Sequence, residues 1–545
     1  MKRVLSILIS LCAIVSAYAD VEIWTKDQLE TFRDDVNNGN TYLNQTVKLM
    51  TDLDLGGTSE SPISWEPIGK SETRWDEDKQ ESVKDDTRVF KGIFKGQGHT
   101  ISMYVEDNRA VAGLFGYLYG TVQQLKVVGA ISNSYKIGNV TYTSSTAGIA
   151  AYNRGTISEC ANFASIVGVY AGGIAGENHG IITNCYNRGA IGADATFTGE
   201  KYLGGIAGSN DGMGATISYV YASCSIDNVS STGGITGNNI SDGTVLYCYM
   251  ASGMYNNGHG TTSELTGTTL NGQLNTTDDY TNWTFTDGEL PELTCFKNKI
   301  VRLVDNYDNT AALSCNNGQM CTVELTNRTL YKDAAWNTLC LPFDIDLTNT
   351  ANPLYGDGVV AKVLDGAKTS LNAAGLLSLS FNDAPATIPA GTPFIIKWNN
   401  TGEPLSNVQF STVTISNTAP KAVEFNNYFG NKGQFVGTYS PFTIDESNID
   451  EIVLLSGDNT LGYSKNTRTL RSCRAHFMIP TTTSQIRAMV DFEIDFDGTS
   501  GIISMEDGSS KMEDCEWYTL DGRKMDGEPT QPGVYIVNGK KVIVK

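Results

Sequence analysis

The chain is 545 residues long and carries 39 basic against 60 acidic side chains, a net charge of −21. Such a field repels nucleic acid and anionic lipid, and no compact basic cluster overrides it locally, so no nucleic-acid partner is expected. Fifty-six Gly beside fourteen Pro point to many tight corners, not to a Pro-rich disordered chain.

Residues 1–19 read as a cleaved export signal. Lys2 and Arg3 lead an apolar run over 4–15 that is too short to span a bilayer, and Ala17-Tyr18-Ala19 offers the small-x-small cleavage site. Cys12 follows Leu11, where a lipobox needs Gly or Ala, so lipid anchorage there is not expected. The signal implies an extracellular or outer-membrane surface address. No later stretch reaches the roughly 18–20 continuous apolar residues of a membrane helix, so no transmembrane segment is expected. Without Lys2 and Arg3 the net charge becomes about −23.

Residues 20–111 form a lead-in. Thr25 with Gln28 is a capping box that opens a helix to about Asn38, with Leu29, Phe32 and Val36 at helical spacing. VKLMTDLDL then alternates as a strand, and WEPIG and FKGIFKGQGHTI follow. Between those two, residues 70–88 are densely charged with almost no apolar side chains and read as a solvated loop.

Over 112–298 the chain repeats itself. Five stretches begin at Ala112 (AGLFGYLYGTVQQL), Ala147 (AGIAAYNRGTISEC), Gly172 (GGIAGENHGIITNC), Gly204 (GGIAGSNDGMGATISYV) and Gly233 (GGITGNNISDGTVLYC). Their period of roughly 25–35 residues is that of solenoids and propellers. Aligned, they place Leu114, Ile149, Ile174, Ile206 and Ile235 at one apolar position and Val122, Ile157, Ile182, Ile217 and Val245 at a second. Leu125, Cys160, Cys185, Val220 and Cys248 share a third, and Ile131, Ile166, Ile191, Ile226 and Met254 a fourth. The second and third lie three residues apart, which a straight strand would turn to opposite faces; a corner between them lets both point inward. One unit cannot bury its apolar face alone, whereas units stacked about 4.8 Å apart pair every edge and align like side chains. The expected fold is therefore all-β: a parallel β-solenoid, or β-helix, with the N-terminal helix capping its open end. A propeller needs longer repeats of four strands each. After Tyr255 the chain is polar and Thr-rich to about Tyr280, and TNWTFTDGELPEL is expected to close the last coils.

The phrases GGIAGENHGIITNCYNRGAIG and AGLFGYLYGTVQQLKVVG resemble the GLUG motif of secreted bacterial proteins, with its Gly-Gly-apolar-small-Gly opening and Gly-Thr-Ile-x-x-Cys second strand. WEPIG and FKGIFKGQGHTI resemble the sequence that often precedes such repeats. Ala151 in place of the closing Gly, and an insertion around Met213-Gly214, depart from the pattern. The resemblance implies an exported surface protein of the type found in Bacteroidetes.

Residues 299–329, with Asp305, Asn306, Asp308 and Asn309, read as a connector. From 330 to 498 the runs LLSLSF, PFIIKW, FSTVTIS, QFVGTYS, EIVLLSG and VDFEIDF recur between turn residues, as in an antiparallel β-sandwich. WNTLCLPFDI, AGTPFIIKW and CRAHFMIP resemble a domain common in secreted Bacteroidetes proteins. Residues 499–545, ending in WYTLDGRKMDGEPTQPGVYIVNGKKVIVK, resemble the sorting-type tail of the same proteins; by its residues alone the tail is a small two- or three-stranded β element.

Among the cysteines, Cys160, Cys185 and Cys248 share an inward position also held by Leu and Val, and read as buried small hydrophobes. Cys315 and Cys321, around an Asn-Asn-Gly turn, are the candidate disulfide pair. No CxxC occurs and the Cys and His spacings match no zinc site, so neither metal nor cofactor is expected. Gly258-His259-Gly260 resembles a tripeptide of polygalacturonases, but no paired-Asp motif accompanies it. Glu159, Glu177, Asp194, Asp211, Asp227 and Asp242 fall at different repeat positions, and His99, His179, His259 and His476 stand in unrelated contexts. Asp491, Asp495 and Asp497 alternate with Phe492, Ile494 and Phe496 as the solvent side of a strand. No catalytic residue stands out. The expected function is a non-enzymatic, adhesin-like scaffold that displays itself to, or binds, host or plant glycans or surface proteins. A polysaccharide hydrolase or lyase on the same scaffold, and a structural surface-layer component, are the alternatives. Carboxylates converging with an Arg or Lys in a groove would favour the enzyme, and an exposed row of aromatics would favour glycan binding.

Overall fold

The computed structural model describes residues 20–76, 80–229, 231–240, 243–250, 260–261, 274, 282–286, 288–297, 299–356, 358–373, 376–456, 459–464, 466–480, 491–495, 517–519, 524–525, 533–537 and 540–544. These are predominantly β and divide into two compact units, Met1–Arg328 with Ser406–Thr418, and Thr329–Leu405 with Ala419–Lys545.

The first unit opens with a short strand, Val21–Ile23, paired with Thr46–Leu49, and a helix, Lys26–Asn37, whose N-cap Thr25 accepts from the Gln28 N–H while the Gln28 side chain accepts from the Thr25 N–H. Leu29, Phe32 and Val36 are buried, with Phe32 edge-on to Phe90 at 5.4 Å. Beyond the helix, five files of parallel strands link successive repeats among the described residues, the fifth holding Thr100, Lys126, Ala161, Tyr186, Tyr221 and Tyr249 in one register. The first joins Thr46–Leu49, Ile93–Lys95, Thr121–Gln123, Thr156–Ser158, Ile181–Thr183, Thr216–Ala222 and Thr244–Met250, with Val47, Phe94, Val122, Ile157, Ile182, Ile217 and Val245 in one register. The second carries Val105, Ile131, Ile166, Ile191 and, through an isolated bridge, Ile226. The third runs from Val111–Ala112 to Ser231–Gly233 and the fourth from Phe115–Leu118 to Thr236–Ile240.

The corner between the second and third apolar positions has a backbone cause. Gln124, Glu159, Asn184, Tyr219 and Tyr247 hold that place in the five repeats, and all have φ between 50° and 58°. One left-handed residue breaks the alternation, so Val122 and Leu125, and their counterparts, both turn inward. Each such residue costs roughly 1–2 kcal/mol. Full burial of Leu125, Cys160, Cys185, Val220 and Cys248 offsets it.

Three stretches differ from their sequence reading. Residues 70–88 are an antiparallel hairpin, Lys70–Asp76 with Glu81–Arg88, not a loop. Several of its side chains have partners across the hairpin: Arg88 meets Glu72 at 2.8 Å, and Ser71 donates to Asp86. The segment TNWTFTDGELPEL does not follow the last repeat but returns over earlier ones. Trp283 lies 5.7 and 5.9 Å from the rings of Tyr221 and Tyr186 and donates to Asn184, and the Tyr221 hydroxyl donates to the Pro291 carbonyl at 2.6 Å. The cause is the strip of Tyr186, Tyr221 and Tyr249, which needs an apolar cover. The return continues through Glu292, 3.4 Å from Lys126, to Tyr307, 6.3 Å from Trp24. Residues 299–329, expected as a connector, hold the strand Ile300–Val304, the helix Thr310–Cys315 and the start of Met320–Lys332, with Val301 opposite Val323. Their polar residues serve as local turn formers: Asn309 bridges the Val304 N–H and carbonyl, and Asp308 accepts from the Thr310 N–H.

In the second unit a mostly antiparallel sheet includes Asn337–Leu339, Phe394–Trp398, Val359–Leu364, Leu376–Asp383, Gly433–Thr438 and Arg474–Met478. Its core holds Leu377, Leu379, Phe381, Phe425, Phe435 and Phe477, which explains the alternation in LLSLSF. FSTVTIS is the exception: it falls within Ser406–Thr418, which belongs to the first unit, where Asn407 accepts from the Asn327 N–H at 2.7 Å. Asp491–Asp495 pairs in parallel with Leu376–Asp383. The tail forms a four-stranded antiparallel sheet from Trp517–Thr519, Lys524–Met525, Gly533–Val537 and Lys540–Val544.

Candidate functional site

The repeat positions singled out by sequence meet in one core. Leu114, Ile149, Ile174, Ile206 and Ile235 are fully buried, as are Ile157, Ile182, Ile217, Cys160, Cys185 and Cys248. Met254 lies outside the described residues. The Cys160 N–H points at the Cys185 sulfur at 3.4 Å. Burial pushes the Cys160 thiol well up, and the Cys248 thiol to about 12, so both are protonated, unreactive hydrophobes at neutral pH. Cys315 and Cys321, expected as a disulfide, are free thiols, raised by burial to about 12 and about 11. Cys315 ends a helix, whereas Cys321 is fixed by the register of its strand.

Sequence reading missed the asparagines. Asn153, Asn178, Asn210 and Asn239 donate each to the next at 2.8, 2.7 and 2.8 Å, and Asn162 donates to Asn187 at 2.8 Å. Asn153 and Asn178 also accept from the backbone N–H of Gly155 and Gly180. The available signal was an Asn two residues before Gly in YNRG and ENHG, aligned with the repeat.

On their outer side the third and fourth files carry two lines of side chains. Tyr117, Tyr152, Glu177, Ser209 and Asn238 share one register, and Val111, Ser145, Tyr170, Tyr202 and Ser231 the other. The Ser145 hydroxyl donates to the Glu177 carboxylate and ties the lines together. Rings meet along both: Tyr117 is tilted against Tyr152 at 5.3 Å and Tyr170 against Tyr202 at 4.8 Å, while Tyr152 stacks on His179 at 4.6 Å. The charged hairpin brings Lys84 to this face, 4.9 Å from the Tyr152 ring centre, 5.5 Å from that of Tyr117 and 3.9 Å from Asp86. The Tyr119 hydroxyl donates to Asp86 at 2.7 Å. Arg154 is exposed; it donates to the Tyr152 hydroxyl at 3.3 Å and forms no ion pair with a described residue. Glu177 lies 3.7 Å from His179 Nε2.

Electrostatics assigns these groups their roles. Burial raises the phenols of Tyr117, Tyr119 and Tyr152, which are donors at neutral pH. Burial would also raise Asp86, but hydrogen bonds from Ser71 and Tyr119 and the charge of Lys84 hold it below the usual range, as an acceptor. Burial lowers Lys84 against the pull of Asp86. The patch thus offers fixed donors and acceptors beside half-buried rings. A glycosidase acid needs a raised carboxyl, and Asp86 is shifted the other way.

Elsewhere, an open cavity of about 490 Å³ is lined by Ser64, Glu106, Asp107, Asn108, Arg109, Ser134 and Lys136, but Arg109 is already engaged by Asp107, Ser64 and the Trp65 carbonyl. Of the acidic residues in the repeats, Asp194 accepts from the Thr196 N–H and Asp227 from the Ala193 N–H, both structural roles. Asp242, Gly258, His259 and Asp497 lie outside the described residues. Among the described residues no three His, Cys, Asp or Glu side chains gather as a metal site, and no helix is long and apolar enough to cross a membrane. Compared with protein-family profiles, with curated proteins and with solved structures, the chain matches none.

Proposed function

We propose that this is a non-enzymatic, exported cell-surface protein of the GLUG-repeat type, adhesin-like in use, which binds glycan on the paired tyrosine lines. In this reading the parallel files wind as a β-solenoid capped by the helix Lys26–Asn37. The second unit is an antiparallel sandwich acting as spacer or further module, and residues 499–545 act in sorting. The observation that carries the reading is the patch of Tyr117, Tyr152 and Glu177 in register beneath Lys84 and Arg154. A linear polymer laid along the stack meets donors, acceptors and ring edges at intervals of about 4.8 Å. Hydroxyl-rich ligands suit alternating donors and acceptors, whereas an apolar partner would leave them unpaired.

The test is the full chain offered to host and plant glycans, scored for retention and for reducing-end release. Retention without release is expected, weakened tenfold or more, roughly 1.4 kcal/mol, by Lys84→Ala with Arg154→Ala. Retention untouched by that pair removes the patch from the reading. Asp86 and Glu177 both act on Lys84, the single observation favouring a polysaccharide-cleaving enzyme; release above a heat-killed control would establish that alternative. Protease shaving of intact cells tests the surface address: a chain cut only after the outer membrane is opened refutes it.

A further inference from the structure

Beneath the returning segment lies a buried polar group that glycan binding does not use. Asp52 is 2% exposed; its Oδ1 accepts from the Thr100 N–H at 2.5 Å and lies 3.2 Å from Lys299 Nζ. Its Oδ2 lies 3.4 Å from the same Nζ and accepts from Asn316 Nδ2 at 2.6 Å. The Lys299 side chain is 9% exposed and Asn316 1%. His99 Nδ1 stands 3.6 Å from Asp52, and Arg302 lies 3.4 Å from the other ring nitrogen. An amine, a carboxylate and a carboxamide are thus held together out of water, with both carboxylate oxygens near the amine and one of them also accepting from the carboxamide nitrogen.

We propose that Lys299 and Asn316 become joined by an intramolecular isopeptide bond, with Asp52 carrying the protons. The Asp52 carboxylate takes a proton from the Lys299 ammonium, and the freed amine attacks Cγ of Asn316. The Nζ–Cγ bond forms as the Cγ–Nδ2 bond breaks. The two protons lost by Nζ pass through Asp52 to Nδ2, which departs as ammonium. Asp52 finishes as the carboxylate it began, and no oxidant, reductant or other co-reactant takes part. Two features favour the step: neighbours held by the fold react at a high effective concentration, and exclusion of water suppresses hydrolysis of the carboxamide. Burial would raise the Asp52 carboxyl, yet Lys299, His99 and Asn316 hold it ionised and below its usual range, so taking the first proton is the uphill, slow part of the step. The product closes a covalent loop around the helix Thr310–Cys315 and fixes the returning segment beside the lead-in.

Mass spectrometry of the full chain decides the matter. The expected result is a branched peptide joining Lys299 to Asn316, lighter than its two parts by one ammonia, with trypsin no longer cutting after Lys299. Lys299→Arg should restore the unlinked Asn316 peptide, and Asp52→Ala should slow or abolish linkage. Unmodified peptides from the folded wild-type chain overturn the proposal whatever the variants do. Loss of one water with a link from Lys299 to Asp52 overturns it too, because Asp52 is then acceptor and not carrier.

Discussion

Replacing Asn178 with Ala tests whether the amide ladder holds the repeats together. Asn178 is fully buried; its Oδ1 accepts from the Gly180 N–H at 3.3 Å and from Asn153 Nδ2 at 2.8 Å, and its Nδ2 donates to Asn210 Oδ1 at 2.7 Å. Truncation strands the Gly180 N–H and Asn210 Oδ1 away from solvent and leaves Asn153 Nδ2 only a long contact, 3.4 Å, to the Ile181 carbonyl. At about 1–3 kcal/mol for each unsatisfied buried group, and less where water enters the void, the loss is about 2–6 kcal/mol. Each kcal/mol moves Tm by about 2–4 °C in domains of 150–250 residues and by less in a unit as large as this one, so the first unit should melt lower by up to about 10 °C. Thr156→Ala is the control: it lies on the outer side of the first file, half-buried, and should stay within about 0.5 kcal/mol. Scanning calorimetry of the full chain, with amide exchange at residues 150–182, makes the comparison. An Asn178→Ala transition no lower than that of Thr156→Ala would refute the ladder as a source of stability.

A buried histidine, the repeat cysteines and the covering tryptophan each give a further test. His476 is buried with both ring nitrogens unsatisfied, stacked at 5.2 Å on Phe442, and burial pushes its pKa from 6.5 down to about 4. The unfolded chain therefore binds the proton first: stability is intact above about pH 6.5 and falls by about 3 kcal/mol as pH drops to about 4. Denaturant titrations at several pH values should show this slope in the second unit, and His476→Phe should flatten it; an unchanged slope assigns the effect elsewhere. Cys160, Cys185 and Cys248 should resist alkylation in the native chain and react once unfolded, and Cys160→Val should cost under about 1.5 kcal/mol, because Leu125 and Val220 fill the same position. Trp283→Ala should cost about 3–5 kcal/mol and open residues 282–297 to proteases; equal digestion of variant and wild type would contradict the covering role.

Legibility tracked the physical origin of each signal. The apolar positions showed in sequence because burial constrains residue type at every repeat, and Ile149, Ile174, Ile206 and Ile235 could be aligned by that alone. The need for a corner could be inferred from the odd spacing of Val122 and Leu125, but its left-handed residue could not: Gln, Glu, Asn and Tyr all hold that φ, so no residue type marks it. Asn178 carries no distinctive signal, since a buried amide ladder and an exposed Asx turn have the same local sequence. The patch around Lys84 was hidden for another reason. Its lysine comes from a hairpin that looked like loop, and its partners Tyr117, Tyr152 and Glu177 lie far along the chain and share only register.

The returning segment changes how the first unit should behave. A stack in which each repeat touches only its neighbours loses stability from its ends, each terminal repeat opening with little effect on the next. Here residues 282–307 touch Tyr221 and Tyr186 at one end of their path, Lys126 in the middle, and Asp52 and Trp24 at the other. Opening the fourth repeat therefore requires Trp283 to leave its tyrosines, and that strains contacts reaching back to the lead-in. The chain thereby acquires long-range contacts that a ladder alone lacks, at the cost of closing a long loop, a cost that grows only slowly with length. A rigid, cooperatively stable face would suit the extended ligand proposed above, because repeats that opened independently would break the register of Tyr117, Tyr152 and Glu177 that such multipoint binding would use.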